Sequence, residues 1–239
     1  MAYTEIDDPT AYFQTTLYSG TGSQQSITNG GNSDLQPDWL WIKERDGTSN
    51  HQIMDAVRLY YNRIESNNDS AQLDAGQTGA TNQNVTSFDS DGFGVKNGGA
   101  VNASGDTYVA WQWKESATAG FDICSWTGNG SAQNISHNLS KVPTMIIVKN
   151  RTDAGADWYV YNVHNGNTHS MILNTNSAKV GAYSDNWNNT TPTSSVFTVG
   201  SSNSTGGSSG DNMIAYVFTD IKGYSKFGSY TGNGNADGT

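Results

Sequence analysis

Apolar residues come along this chain in short bursts separated by polar turns, and the bursts read as strands. Trp39-Leu40-Trp41-Ile42 and Met145-Ile146-Ile147-Val148 are apolar at four consecutive positions. That pattern suits a central strand covered on both faces. Val109-Ala110-Trp111 and Ile214-Ala215-Tyr216 keep a small alanine at one place, which predicts a large side chain of a facing sheet packed against it. Ile53, Met54, Val57, Tyr60, Tyr61 and Ile64 recur at near-helical spacing. A similar stretch further on, residues 157–163 followed by His164-Asn165-Gly166-Asn167 and residues 169–173, reads instead as a hairpin. The polar segments 67–84 and 201–211 are long loops.

The likeness between distant segments is a tandem repeat. Tyr18-Ser19-Gly20-Thr21-Gly22 returns as Trp126-Thr127-Gly128-Asn129-Gly130 and again as Tyr230-Thr231-Gly232-Asn233-Gly234. Residues 37–45 match 143–151, residues 92–95 match 196–199, and residues 105–113 match 210–218, all at offsets of 104 to 108. Equivalent segments share a fold, so strands are expected in the 53–64 stretch too. The organisation predicted is an arm over 1–9, jelly-roll-type β-sandwiches over 10–116 and 117–222, and the first strand of a third repeat over 223–239. A solitary strand cannot stabilise itself. The strand carrying Tyr224, Phe227 and Tyr230 is therefore expected to run on into further chain or to pair with a neighbouring domain or subunit, as an assembly strand.

Composition agrees with an all-β chain. Its 239 residues are 34% hydrophobic and only 14% charged, with 7 Leu, 4 Glu and 27 Gly, so strong helix formers are scarce and turn formers common. A net charge of −10 without a basic patch excludes nucleic-acid binding. The longest apolar run, Met213 to Phe218, is six residues, too short for membrane insertion. A lone Cys124 leaves no disulfide framework and no zinc site. The acidic start, Met1 to Asp8, has no apolar signal region, so the chain is expected to be made in a cytoplasm without an N-terminal signal peptide.

Candidates for chemistry are few. Asp89 and Asp91 alternate as a carboxylate pair would, but their second-repeat counterparts carry no acid, and the segment reads as a polar turn. Asn233, Asn235 and Asp237 resemble the start of a calcium loop, yet Thr21, Ser23 and Gln25 stand at the matching first-repeat positions. No nucleophile or phosphate-loop pattern occurs, and no cofactor or resident metal is expected. Most tryptophans fall on repeated core positions. Trp187 does not: it sits in the polar stretch Ser184-Asp185-Asn186-Trp187-Asn188-Asn189. An exposed loop tryptophan flanked by Asp185 and Asn188 would suit a sugar, so these three residues are the candidate ligand site.

The blocks Tyr-x-Gly-x-Gly (18–22), Pro-Asp-x-x-Trp-Ile-Lys-x-Arg (37–45), Thr-Ser-Phe-Asp-Ser-Asp-Gly-Phe (86–93) and Asn-x-x-Gly-Asp-Thr-Tyr-Val-Ala-Trp-x-Trp-Lys (102–114), with the opening of a third copy at 223–234, resemble the tandem repeats of bacteriophage virion proteins. These are tail-fibre-like or appendage proteins, especially of phages of marine bacteria. The resemblance implies a lectin-like sandwich and a non-enzymatic structural role on the virion as a fibre, knob or decoration element. Partners would be further copies of the chain, other virion proteins and, as a second role, a host-surface glycan. Alternatives are a carbohydrate-binding receptor module and a polysaccharide depolymerase, the latter disfavoured by the missing carboxylate pair.

Overall fold

A computed structural model describes residues 4–74 and 85–236. Its first half contains β1 (Phe13–Ser19), β2 (Gln25–Thr28), β3 (Trp39–Glu44), β4 (Gln52–Asp55), β5 (Ile64–Glu65), β6 (Val85–Asp89), β7 (Gly92–Val95) and β8 (Thr107–Trp113), with a helical turn α1 (Gly99–Asn102) before β8. The second half contains β9 (Phe121–Thr127), β10 (Gln133–Ser136), β11 (Met145–Asn150), β12 (Tyr159–Asn162), β13 (His169–Ile172), β14 (Val180–Gly181), β15 (Val196–Val199) and β16 (Asn212–Phe218), with α2 (Ser184–Trp187) before β15. The chain is all-β, and every paired strand is antiparallel to its neighbour. The stretch from Ile53 to Ile64 forms two strands and a turn, because its apolar residues fill sheet faces rather than a helical stripe.

Strand order is the same in both halves. A large sheet runs β1-β8-β3-β4-β5 in the first and β9-β16-β11-β12-β13-β14 in the second. A small sheet covers one face of each, β2-β7-β6 and β10-β15. The registers also agree. Phe13, Trp113, Trp39 and Asp55 lie side by side across one large sheet, as Phe121, Phe218, Met145 and Asn162 do across the other.

Burial on both faces explains the unbroken apolar runs. Leu40, Ile42, Tyr108 and Ala110 face the first small sheet and pack with Ile27, Phe93 and Val95. Ile146, Val148, Met213 and Ala215 do the same against Ile135, Phe197 and Val199. The alternate residues, among them Trp39, Ile147, Tyr216 and Phe218, form a third cluster in which the two large sheets meet. Gln112, fully buried in the first sandwich, is satisfied by Asn29 Oδ1 at 2.5 Å and Thr16 Oγ1 at 3.1 Å.

Apart from the extra edge strand β14 of the second large sheet, the halves differ in the small layer. The second small sheet has no strand matching β6, and α2 with the loop behind it takes that place. The β6–β7 turn puts Gly92 at φ +113°, where a Cβ would collide with the Ile27 carbonyl oxygen. Asp91, in that turn, accepts the Leu35 N–H at 3.2 Å and caps a loop.

The expected first strand of a third repeat does not form among the described residues. The junction leading into β9 is nevertheless reproduced after β16. Ser116 bridges Phe121 before β9, and Ile221 bridges Ser225 in the same way. Glu115 accepts the Ile123 N–H at 3.3 Å, and Asp220 accepts the Phe227 N–H at 3.0 Å. From residue 226 to residue 236 no strand follows. β9 is held by β16, the last strand of its own sandwich, and the tail has no such ladder among the described residues. No helix among the described residues is long and apolar enough to cross a membrane.

Candidate functional site

Where the two large sheets meet, they leave a cavity of about 280 Å³. Equivalent positions of the two halves line it: Phe13 and Phe121, Trp39 and Met145, Trp41 and Ile147, Trp113 and Phe218. Trp39 is its anchor, with ring centroids 4.5 Å from Trp113, 4.5 Å from Tyr216 and 5.5 Å from Phe121. The tail borders it through Tyr224, Ser225 and Phe227, whose ring lies 5.5 Å from Phe218. The wall is therefore almost wholly aromatic or aliphatic. Two of the tryptophans that line it, Trp39 and Trp41, have indole N–H groups that are buried and reach no acceptor.

Beside this apolar zone the sheets are pinned by a buried polar triad. Arg58 Nε and Asp55 Oδ2 form an ion pair at 2.6 Å, and the Tyr216 hydroxyl, from the other half, donates to the same oxygen at 2.7 Å. Arg58 Nη2 donates to that hydroxyl at 3.3 Å. Burial pushes the Tyr216 hydroxyl well above its ordinary pKa, so it remains a neutral donor. Trp158 adds an indole N–H bond to Glu65 O at 2.9 Å. Lys149 crosses between the halves to Asp69 O at 2.9 Å, and burial lowers its ammonium to about 8.

Two carboxyl clusters lie elsewhere. At the junction, Glu115 and Asp122 share a hydrogen bond, with the Glu115 N–H donated to Asp38 at 2.8 Å. Burial and that shared bond raise Glu115 to about 7. For Asp122 burial acts upward, but bonds from Glu115, the Asn138 N–H at 2.7 Å and Cys124 hold it below its usual value. Cys124 is a buried packing residue whose thiol burial pushes upward. The second cluster is Glu44, Asp46 and Asp106, with oxygens within 4.8 Å of one another, close enough to share a cation. Each of two also serves the chain: Glu44 accepts the Ser49 N–H at 3.1 Å, and Asp46 accepts the Thr107 N–H at 3.0 Å. Desolvation and these neighbours raise Asp106.

Residues 8–239 match the family described as Domain of unknown function (DUF7483). The chain belongs to that family. Its match runs across both sandwiches and the tail as one unit. No curated protein and no solved structure matches the chain.

In this DUF7483 chain the sugar platform expected at Trp187 is absent. Trp187 is only 2% exposed, its ring lies edge-on to Tyr161 at 5.7 Å, and its N–H donates to Ser170 Oγ at 2.8 Å. The second small sheet lacks a third strand, and Trp187 on α2 fills the gap that strand would cover. Asp185 and Asn188 are exposed but no aromatic face lies between them, since Asn186 and Trp187 are both buried and Trp187 belongs to the core cluster. Asn233 and Asn235 are exposed, and Asn233 Oδ1 accepts the Asn235 N–H at 2.9 Å, a local turn; Asp237 lies outside the described residues. Tyr224 and Phe227 pack against the chain itself, Tyr224 edge-on to Tyr12 at 6.5 Å. Tyr230 is 95% exposed. The inter-sheet cavity escaped sequence reading. Its only sequence signal was the set of tryptophans alternating with the core positions of β3 and β8.

Proposed function

We propose that this protein is a structural building block of a bacteriophage particle, a fibre, knob or decoration element that works by assembling with further copies and with other virion proteins. The observation that carries the reading is the tail. Residues 220–227 reproduce the junction that launches β9, down to the carboxylate accepting an N–H from Phe227, while Tyr230 beyond it is exposed and unladdered. A segment of strand sequence, held at its start and open along its edge, is suited to pair with a strand from another chain. The rigid joining of two sandwiches through an aromatic core suits a load-bearing element. Carbohydrate binding centred on Trp187 is no part of this reading, because that indole is buried.

Two measurements test it. Light scattering of the purified chain should show association that Tyr230→Asp weakens, and peptide mass spectrometry of purified particles should find the protein at a fixed copy number. A chain that stays monomeric at high concentration and is missing from particles refutes the proposal.

A further inference from the structure

We infer that a second groove, at the seam of the two sandwiches, binds a neutral sugar ring, a pyranose of a glycan. It holds about 320 Å³ and both halves wall it: Trp41, His51, Ser66 and Asn67 from the first, residues 173–176 from the second. It exists only where the halves are joined in this way. Its floor is hydrocarbon. Trp41 is half-buried with its indole N–H sealed inside, so what it offers the groove is ring carbon. The His51 ring stands beside it, centroids 6.2 Å apart and tilted by 55°, and Leu173 from the other half is 40% exposed. The rim is polar, with capacity to spare. Among the described residues the His51 ring and the exposed Asn176 amide make no hydrogen bond. Thr175 Oγ1 accepts the Ser177 N–H at 3.2 Å, which leaves its own proton to donate. The walls are held in place, since Asn67 Oδ1 accepts the His51 N–H at 2.9 Å and Asn174 Oδ1 accepts the Trp158 N–H at 2.9 Å. Among the described residues no Asp, Glu, Lys or Arg lines the groove. Burial, helped by the charge of Lys43, holds the His51 imidazole below its ordinary pKa, so it is neutral at pH 7. These features select by exclusion. A phosphate or carboxylate finds no cation in the wall to receive it. An alkyl chain would strip water from amide and imidazole groups and give nothing back. A pyranose has a C–H face for the indole and a hydroxyl edge for the rim. Size agrees, because a cavity of about 150 Å³ takes up benzene and a hexopyranoside has about twice as many heavy atoms. The site goes beyond the structural role proposed above and does not depend on it.

The test titrates methyl β-D-glucopyranoside and methyl β-D-galactopyranoside into the full chain, with sorbitol, an open-chain polyol, as the comparison. Nuclear magnetic resonance follows the assigned Trp41 ring signals and the saturation passed from aromatic protons to the sugar. At least one glycoside should bind in the millimolar range, move the Trp41 signals, and take up most saturation on the C–H protons of one ring face. Sorbitol should show none of this. Trp41→Leu should weaken binding about tenfold, the scale of losing one stacked ring. His51→Ala and Asn176→Ala each remove one hydrogen-bonding group and should each weaken it about fivefold; these two decide the matter should Trp41→Leu fail to fold. No binding of either glycoside at tens of millimolar overturns the inference, and so does binding that leaves the Trp41 signals in place. Sorbitol binding as tightly as the glycosides also overturns it, as does unchanged affinity in a folded Trp41→Leu or in both of the other variants.

Discussion

Removing one oxygen from Tyr216 should weaken the joint between the two sandwiches measurably. Tyr216→Phe keeps the ring that stacks on Trp39 at 4.5 Å and deletes only the hydroxyl. That hydroxyl donates to Asp55 Oδ2 at 2.7 Å and receives a longer bond from Arg58 Nη2 at 3.3 Å. Asp55 and Tyr216 are fully buried and Arg58 is 4% exposed, so water cannot replace what is lost. A hydrogen bond to a charged group is worth about 1.5–3 kcal/mol, and the second bond is too long to add much, so the expected cost is about 2 kcal/mol. The ion pair beneath it survives. Arg58→Met is different, because it leaves a buried carboxylate facing only the tyrosine hydroxyl and one backbone N–H at 2.8 Å. Breaking a buried pair in this way costs about 3–5 kcal/mol. Urea unfolding followed by tryptophan fluorescence should show a lower midpoint with an unchanged slope for both variants, and the double variant should lose less than the sum. A cost below about 0.5 kcal/mol for Tyr216→Phe, or a milder effect for Arg58→Met than for Tyr216→Phe, would refute the triad as the pin of this joint.

Three further outcomes follow from single residues. Glu115 sits at about 7 in the folded chain against an ordinary 4.5, so folding holds its proton; the stabilisation is complete below the unfolded value and is lost as pH rises through about 7. Because the group is half exposed, solvent screening leaves about 1–2 kcal/mol, and the stability difference between wild type and Glu115→Gln should change by that amount between pH 4.5 and 8; a pH-independent difference sinks the assignment. Trp187→Ala should cost about 3–5 kcal/mol in urea unfolding, as for other buried large aromatics, and Ser170→Ala about 1 kcal/mol for its bond to the indole; a neutral Trp187→Ala would mean the indole is not in the core. Gly92→Ala places a Cβ against the Ile27 carbonyl at a positive φ, and should lower stability by at least about 1–3 kcal/mol, seen as an earlier thermal midpoint.

The strand pattern was legible because sheet periodicity is local. Two alternating apolar sets, one per face, are visible in β3 and β8 without knowing what covers either. Repetition then decided the helix-or-strand ambiguity at Ile53 to Ile64, which one copy alone left open. What could not be read was which surface covers the outer set. Trp39, Trp41 and Trp113 announce a covered face, but the cover comes from the second sandwich, Phe121, Tyr216 and Phe218 among it, and nothing in a linear pattern identifies it. Trp187 misled for a related reason. Its neighbours Asp185, Asn188 and Asn189 are polar, as in a loop, yet one buried apolar residue on a four-residue helical turn leaves no periodic trace. The tail was half legible: its sequence repeats the opening of β1, whereas pairing depends on a partner strand outside it.

The two halves agree where they face their own small sheets and diverge where they face each other, and that contrast says what kind of joint this is. Toward the small sheets the equivalents are Leu40 and Ile146, Ile42 and Val148, Ala110 and Ala215, Phe93 and Phe197, near-identical in volume. Tyr18 and Trp126 even meet those phenylalanines alike, edge-on at 5.8 and 6.0 Å with an interplanar angle of 75° each. Toward each other the equivalents around the cavity are Trp39 and Met145, Trp41 and Ile147, Trp113 and Phe218, each with the bulkier residue in the first half, whereas Ile123 and Trp158 of the second half outweigh Thr15 and His51 of the first. Two identical tryptophan-rich faces would clash or leave gaps, whereas a large face against a smaller one can reach interior packing density. The polar pin is one-sided in the same sense, because Asp55 corresponds to Asn162, which carries no charge to hold an arginine. The joint is thus built for one first half meeting one second half, and not for two like halves. The cavity between them is the space this unequal match leaves open.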